Sequence, residues 1–135
     1  MGALETHPRI TPFLWFDSNA GEAVDFYLSV FLNSRRLNTM IAGEYGHVPK
    51  GTVLTIGLEL DGQRFTALNG GPLFHFTEAI SFLVRCDTQE EVDEYWAKLS
   101  AGGSESQCGW LKDKFGLSRQ IVQMRKLDLA ASSPS

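Results

Sequence analysis

Few side chains in this 135-residue chain could do acid–base, nucleophilic or metal chemistry, and they are scattered. His7, His47 and His75 show no HxH or HxxxH spacing that would put two imidazoles on one strand or helix face. Each reads as a surface or loop residue. His75, between Phe74 and Phe76, stands nearest a presumed cavity mouth. Cys86 and Cys108 read as apolar fillers, since free Cys is often buried. Neither His nor Lys lies beside Cys108 to turn it into a thiolate nucleophile. Asp17 falls where a helix cap is needed. Asp113-Lys114 falls in a turn between two strands.

A second group could bind without doing chemistry. Trp15, Phe65, Phe74, Phe76 and Trp110 are either core or the lining of a cavity for a flat or aromatic guest. If they line a cavity, Asn69, Ser81 and Gln120 are the polar groups expected to orient the guest. Asn69-Gly70-Gly71 has a structural alternative, a turn in which glycine relieves a positive φ.

Composition narrows the classes. Apolar residues make up 43% of the chain and charged residues 21%, the balance of a globular domain. Sixteen acids against twelve bases give a net charge of −4, and Arg35-Arg36 and Arg125-Lys126 are isolated pairs. Nucleic acid is therefore not an expected partner. No apolar run approaches the ~18–20 residues of a membrane span, so no membrane partner is expected either. The start of the chain lacks a basic stretch followed by an apolar one. With two cysteines read as reduced thiols, the expected location is cytoplasmic.

The elements that must position these residues are written twice. Phe13-Leu14-Trp15-Phe16-Asp17 leads into Glu22 to Tyr27, and Phe82 to Asp87 leads into Glu90 to Tyr95. Val24/Val92, Asp25/Asp93 and Tyr27/Tyr95 share one offset of 68 residues, about half the chain. In the first half, Ile10 to Phe16 reads as a strand. Asp17-Ser18-Asn19 then offers side-chain oxygens to cap a helix. Ala20, Ala23, Val24, Tyr27, Val30 and Phe31 form one apolar stripe at helical spacing. Strands follow over Arg35 to Ala42, Thr52 to Leu60 and Gln63 to Asn69, the last two joined by the hairpin pair Asp61-Gly62.

The second half repeats the scheme. Ile80 to Cys86 reads as a strand. Thr88 with Glu91 three residues on makes a capping box. Val92, Tyr95, Trp96 and Leu99 form the helix stripe, and Gly102-Gly103 stops it. Gln107 to Lys112 and Leu117 to Val122 read as two strands, one fewer than in the first half unless Ser104 to Gln107 supplies a short one. The expected fold class is α+β: paired β-α-β-β-β modules in a curled, antiparallel-rich sheet around a cavity. Residues 1–135 are expected to form one domain, with modules at about 9–71 and 78–122 and a C-terminal helix at about 123–131.

These modules resemble the vicinal oxygen chelate superfamily, which includes glyoxalase, extradiol dioxygenases and bleomycin-resistance proteins. Four stretches resemble its PhnB-like family more closely: Thr11 to Asp17, Ala23 to Tyr27, Phe65-Thr66-Ala67-Leu68-Asn69-Gly70-Gly71-Pro72, and Cys108-Gly109-Trp110-Leu111-Lys112-Asp113. The resemblance runs from about Ile10 to Val122. Members of that family carry the description 3-demethylubiquinone-9 3-methyltransferase. The chain departs from the pattern near its end, with Arg119 where members usually have Trp and Gln123 where they usually have Pro. Val122-Gln123 joins directly to Met124–Leu129, which resembles the family's terminal helix without its preceding linker.

The resemblance implies a site and a partner. Metal-dependent relatives hold one divalent ion with His and Glu from four strands. The corresponding positions here are about Pro12, Phe65, Ser81 and Gln120, and neighbours Thr11, Thr66, Phe82 and Arg119 do no better. These side chains are poor ligands for such an ion, so no metal or other cofactor is expected. The methyltransferase description meets no Gly-rich loop between a first strand and its helix. The superfamily also implies a homodimer. The leading expectation is therefore metal-free binding of a small, partly aromatic organic ligand. The alternatives are an enzyme of unassigned chemistry using Asp17, Cys108 or another carboxylate that the sequence does not place, and the transferase that the family description implies.

Overall fold

The computed structural model describes residues 8–44 and 48–124. The chain divides into two compact units, residues 1–75 and 76–135. Each unit repeats one plan. The first holds β1 (Phe13–Phe16), α1 (Ala20–Val30), β2 (Ser34–Ile41), β3 (Val53–Leu60) and β4 (Gln63–Asn69). The second holds β5 (Ser81–Cys86), α2 (Gln89–Ser100), β6 (Ser104–Glu105), β7 (Trp110–Lys112) and β8 (Ser118–Gln123). The strand orders are β1-β4-β3-β2 and β5-β8-β7-β6, so the duplication read from the sequence is a duplication of topology. Each mixed sheet has one parallel pair, β1 with β4 and β5 with β8, and its other pairs are antiparallel. The expected extra strand of the second half exists as β6, two residues long.

In the first unit the helix stripe forms the core. Ala20, Ala23, Val24, Tyr27 and Val30 are all buried. They pack on the inward residues of the sheet, Leu14, Phe16, Ile56, Leu58, Phe65 and Ala67. The pleat sends alternate residues to opposite faces, so Phe13, Trp15, Thr66 and Leu68 lie on the face away from α1. β1 begins three residues later than its apolar run suggests, and Ile10 is exposed. Pro12 has no N–H for the ladder; its carbonyl accepts from Thr66 N at 2.9 Å. Asp61 (φ +49) and Gly62 (φ +88) are both left-handed, as a tight two-residue hairpin turn requires.

In the second unit the buried apolar side chains are Cys86, Leu99, Leu111, Leu117 and Ile121. The expected capping box forms with a shift of one residue: Thr88 Oγ1 accepts from Glu91 N at 3.2 Å, and Glu91 Oε1 accepts at 2.9 Å from Asp87 N, the residue before the cap. β8 continues through Gln123, which pairs with Cys86, where a helix from 123 was expected. Gln123, unlike proline, can stay in the ladder. Residues 125–131 of that expected helix, and His7 and His47, lie outside the described residues. Among the described residues no helix is long and apolar enough to cross a membrane.

Candidate functional site

Asn69-Gly70-Gly71, the most specific stretch of the first half, seats an aromatic pair. Trp15 Nε1 donates to the Gly71 carbonyl at 2.9 Å. The indole lies so close over Gly70 that a Cβ there would sit 2.4 Å from Trp15 Cε2. Gly71 has φ +94, which few residues other than glycine tolerate. Phe74 then meets Trp15 edge to face, with centroids 4.8 Å apart and planes at 76°. Phe13, on the same face of β1, is 62% exposed and Phe74 is 60% exposed. Two aromatic rings thus stand in solvent around a half-buried indole that is locked in orientation.

Two residues expected beside them lie elsewhere. Phe65 is buried on the α1 side of β4, opposite the Trp15 face. Asn69 also faces α1 and is fully engaged: its Oδ1 accepts from Ala20 N at 2.9 Å and its Nδ2 donates to the Val53 carbonyl at 3.0 Å. This corrects the expected cap of α1. Asn19 makes no side-chain cap bond, and the first helical N–H is satisfied by a strand residue instead. Asn69→Ala is expected to lower stability by about 1–2 kcal/mol, read by urea denaturation. A change within experimental error would show that water replaces the amide at no cost.

The second unit groups three of the expected residues. Gln120 Nε2 donates to Ser81 Oγ at 3.0 Å across the parallel β5–β8 pair. Trp110 is the cross-strand partner of Gln120 on β7. Leu83, the partner of Gln120 on β5, is half exposed on the same face. Phe76 lies half-buried before β5, and His75 is exposed.

The motif Cys108 to Asp113 resolves into alternating tasks. Cys108 (φ +57) and Gly109 (φ +79) are both left-handed, and the Gly109 carbonyl accepts from Ile121 N at 2.8 Å. A Cβ on Gly109 would approach the Ile121 carbonyl oxygen to 2.8 Å. Trp110 and Lys112 then point one way and the buried Leu111 and Asp113 the other. Asp113, expected only in a turn, is an interior anion. Its Oδ1 accepts from Phe115 N and Leu117 N at 2.9 and 3.1 Å, and its Oδ2 lies 3.4 Å from Arg119 Nε. Asp113 and Arg119 are 2% and 3% exposed. A buried Asp-Arg pair six residues apart was legible only as an acid and a base near one turn.

Cys108 is exposed and Cys86 buried. Burial first, then the Glu91 carboxylate, pushes the Cys86 thiol above its usual range, against a smaller opposite pull from Arg85. An aromatic disulfide reagent is expected to titrate Cys108 in the native protein and Cys86 only after unfolding. Native reaction of both thiols at similar rates would contradict this burial.

The four positions that the resemblance matches to metal ligands are taken up by other contacts. In the first unit Pro12 contributes only a ladder carbonyl and Phe65 points under the helix. In the second, Ser81 and Gln120 bond each other, and the neighbouring Arg119 is held by Asp113. Among the described residues no three His, Cys, Asp or Glu side chains come together.

A sequence profile of the family described as 3-demethylubiquinone-9 3-methyltransferase matches residues 8–122. A putative 3-demethylubiquinone-9 3-methyltransferase, PhnB protein, from Bacillus cereus is 33% identical, with a TM-score of 0.75 over 87% of this chain and 100% of that one. A Pseudomonas aeruginosa protein is 18% identical, with a TM-score of 0.66 over 85% and 96%. The fosfomycin resistance protein FosX from Listeria monocytogenes is 15% identical, with a TM-score of 0.66 over 93% and 98%. No curated protein sequence matches significantly.

Proposed function

The chain belongs to the family described as 3-demethylubiquinone-9 3-methyltransferase, PhnB-like proteins of the vicinal oxygen chelate superfamily with a glyoxalase/bleomycin-resistance fold, and from that premise we propose that it binds a small, partly aromatic organic molecule without a divalent ion. The observation that carries this reading is the Trp15–Phe74 pair. A large ring costs free energy to leave in water, yet this chain spends a glycine and a carbonyl on fixing Trp15 beside the exposed Phe74 and Phe13. A flat guest stacking on Trp15 gains contact area against a ring whose orientation is already held. The second unit holds a set of its own, Ser81 and Gln120 beside Trp110, where polar groups stand next to an indole. The donor sets described above support an ion-independent mode, because none of them suits a borderline divalent metal.

The protein is proposed to act as a homodimer. Exposed Phe13 and Phe74 in the first unit, and Ile80 and Leu83 in the second, support a self-associating surface. Native mass spectrometry of freshly purified protein tests both points. The expected spectrum shows twice the chain mass plus a small organic adduct that is lost on denaturation. Stoichiometric zinc, nickel, manganese or iron by elemental analysis would overturn the ion-independent reading.

The transferase that the family description names is tested by thermal shift with S-adenosylmethionine. Here Gly70-Gly71 is occupied in seating Trp15, and no shift is expected. A concentration-dependent rise in Tm would replace the present reading.

A further inference from the structure

The second unit has a cleft of about 300 Å³ next to the Ser81–Gln120 bond, lined among others by Glu78, Glu105, Trp110, Lys112 and Ser118. Ser118 lies between its register partners Ser81 on β5 and Lys112 on β7. It is 1% exposed, and its Oγ has no hydrogen-bond partner. A buried hydroxyl without a partner costs stability, so its retention at a cleft wall points to a partner that comes from outside.

Charge selects the kind of partner. Lys112 Nζ is ion-paired with Glu78, which reaches it from the segment before β5. That hydrogen bond holds the Glu78 carboxyl below its usual range, so the two charges cancel. Among the described residues Glu105 accepts from a neutral donor, Trp96 Nε1 at 2.8 Å, and makes no ion pair. The lining therefore carries one net negative charge beside the indole of Trp110, a ring whose face attracts cations.

We propose that this cleft binds a small primary ammonium, its charge met by Glu105 and the Trp110 ring and one N–H donated to Ser118 Oγ. The site uses Trp110 but none of Trp15, Phe74, Ser81 or Gln120. It shares Trp110 with the aromatic reading but rests on Glu105 and Ser118, and an alkyl probe, which has no ring to stack, keeps the two apart.

The test is a titration of the ¹⁵N-labelled full chain with n-butylammonium chloride and, at equal ionic strength, with sodium butanoate. The ammonium is expected to give saturable shifts at the Trp110 indole N–H and the Ser118 amide, and butanoate none. Glu105→Gln keeps the acceptor for Trp96 and is expected to weaken the ammonium about tenfold. Ser118→Ala is expected to weaken it severalfold while raising Tm of the free protein by about 3 °C, because the orphaned hydroxyl is gone. A merely structural serine would lower Tm instead. Butanoate binding as tight as the ammonium, no saturable shift with either probe, or a lower Tm in Ser118→Ala would each overturn the assignment.

Discussion

Asp113→Ala is expected to cost about 3–5 kcal/mol, a large share of the stability of a domain this size. The carboxylate closes the β7–β8 turn through Phe115 N and Leu117 N, and its second oxygen faces Arg119. Alanine leaves those two N–H groups without this acceptor and takes the carboxylate away from a guanidinium that is 3% exposed. Removing one partner of a buried pair is costly because the other charge cannot return to water without opening the core. Replacing both is cheaper. Asp113→Ala with Arg119→Met is therefore expected to recover 1 kcal/mol or more, roughly, relative to the sum of the single changes. Urea denaturation followed by circular dichroism measures the cycle. A single-mutant cost under about 1 kcal/mol would mean that Arg119 finds water or another acceptor easily.

Gly70→Ala is the second large effect, about 2–3 kcal/mol. A methyl 2.4 Å from Trp15 Cε2 and 2.6 Å from Cζ2 cannot be accommodated by a small torsion, because the ring is pinned by its bond to Gly71. The indole must leave, and its edge-to-face contact with Phe74 goes with it. The near-ultraviolet circular dichroism of Trp15 should collapse while the far-ultraviolet spectrum persists. Under the proposed function, the copurifying adduct should disappear as well. An unchanged near-ultraviolet spectrum would show that the chain yields at Gly70 instead of at the ring.

Features built from neighbouring residues were legible in the sequence. The α1 stripe, the Asp61-Gly62 hairpin and the Thr88/Glu91 capping box depend on side chains within a few positions of each other, and the structure has all three. The duplicated topology was legible for the same reason, since each half carries its own local signals. The candidate site was harder. Phe65 and Thr66 differ by one position, and a shift of one reverses which face a residue meets. Only the pairing of β4 with β3 and β1 decides it. Asn69 satisfies a helix 49 positions earlier in the chain, a bond that no local spacing announces. Ser118 becomes informative only when its neighbours in space, Lys112 and Ser81, are known.

Among the described residues β1 has one strand neighbour, β4, and Phe13 must wait for Thr66 before it can pair. On the ribosome, a chain made in order exposes the aromatic segment Phe13–Phe16 through most of the synthesis of its own unit. β5 waits in the same way for β8. In each half the earliest strand made cannot form its ladder until the latest strand of that half has been made. Long-separation pairing of this kind slows folding and prolongs the interval in which sticky edges meet other molecules.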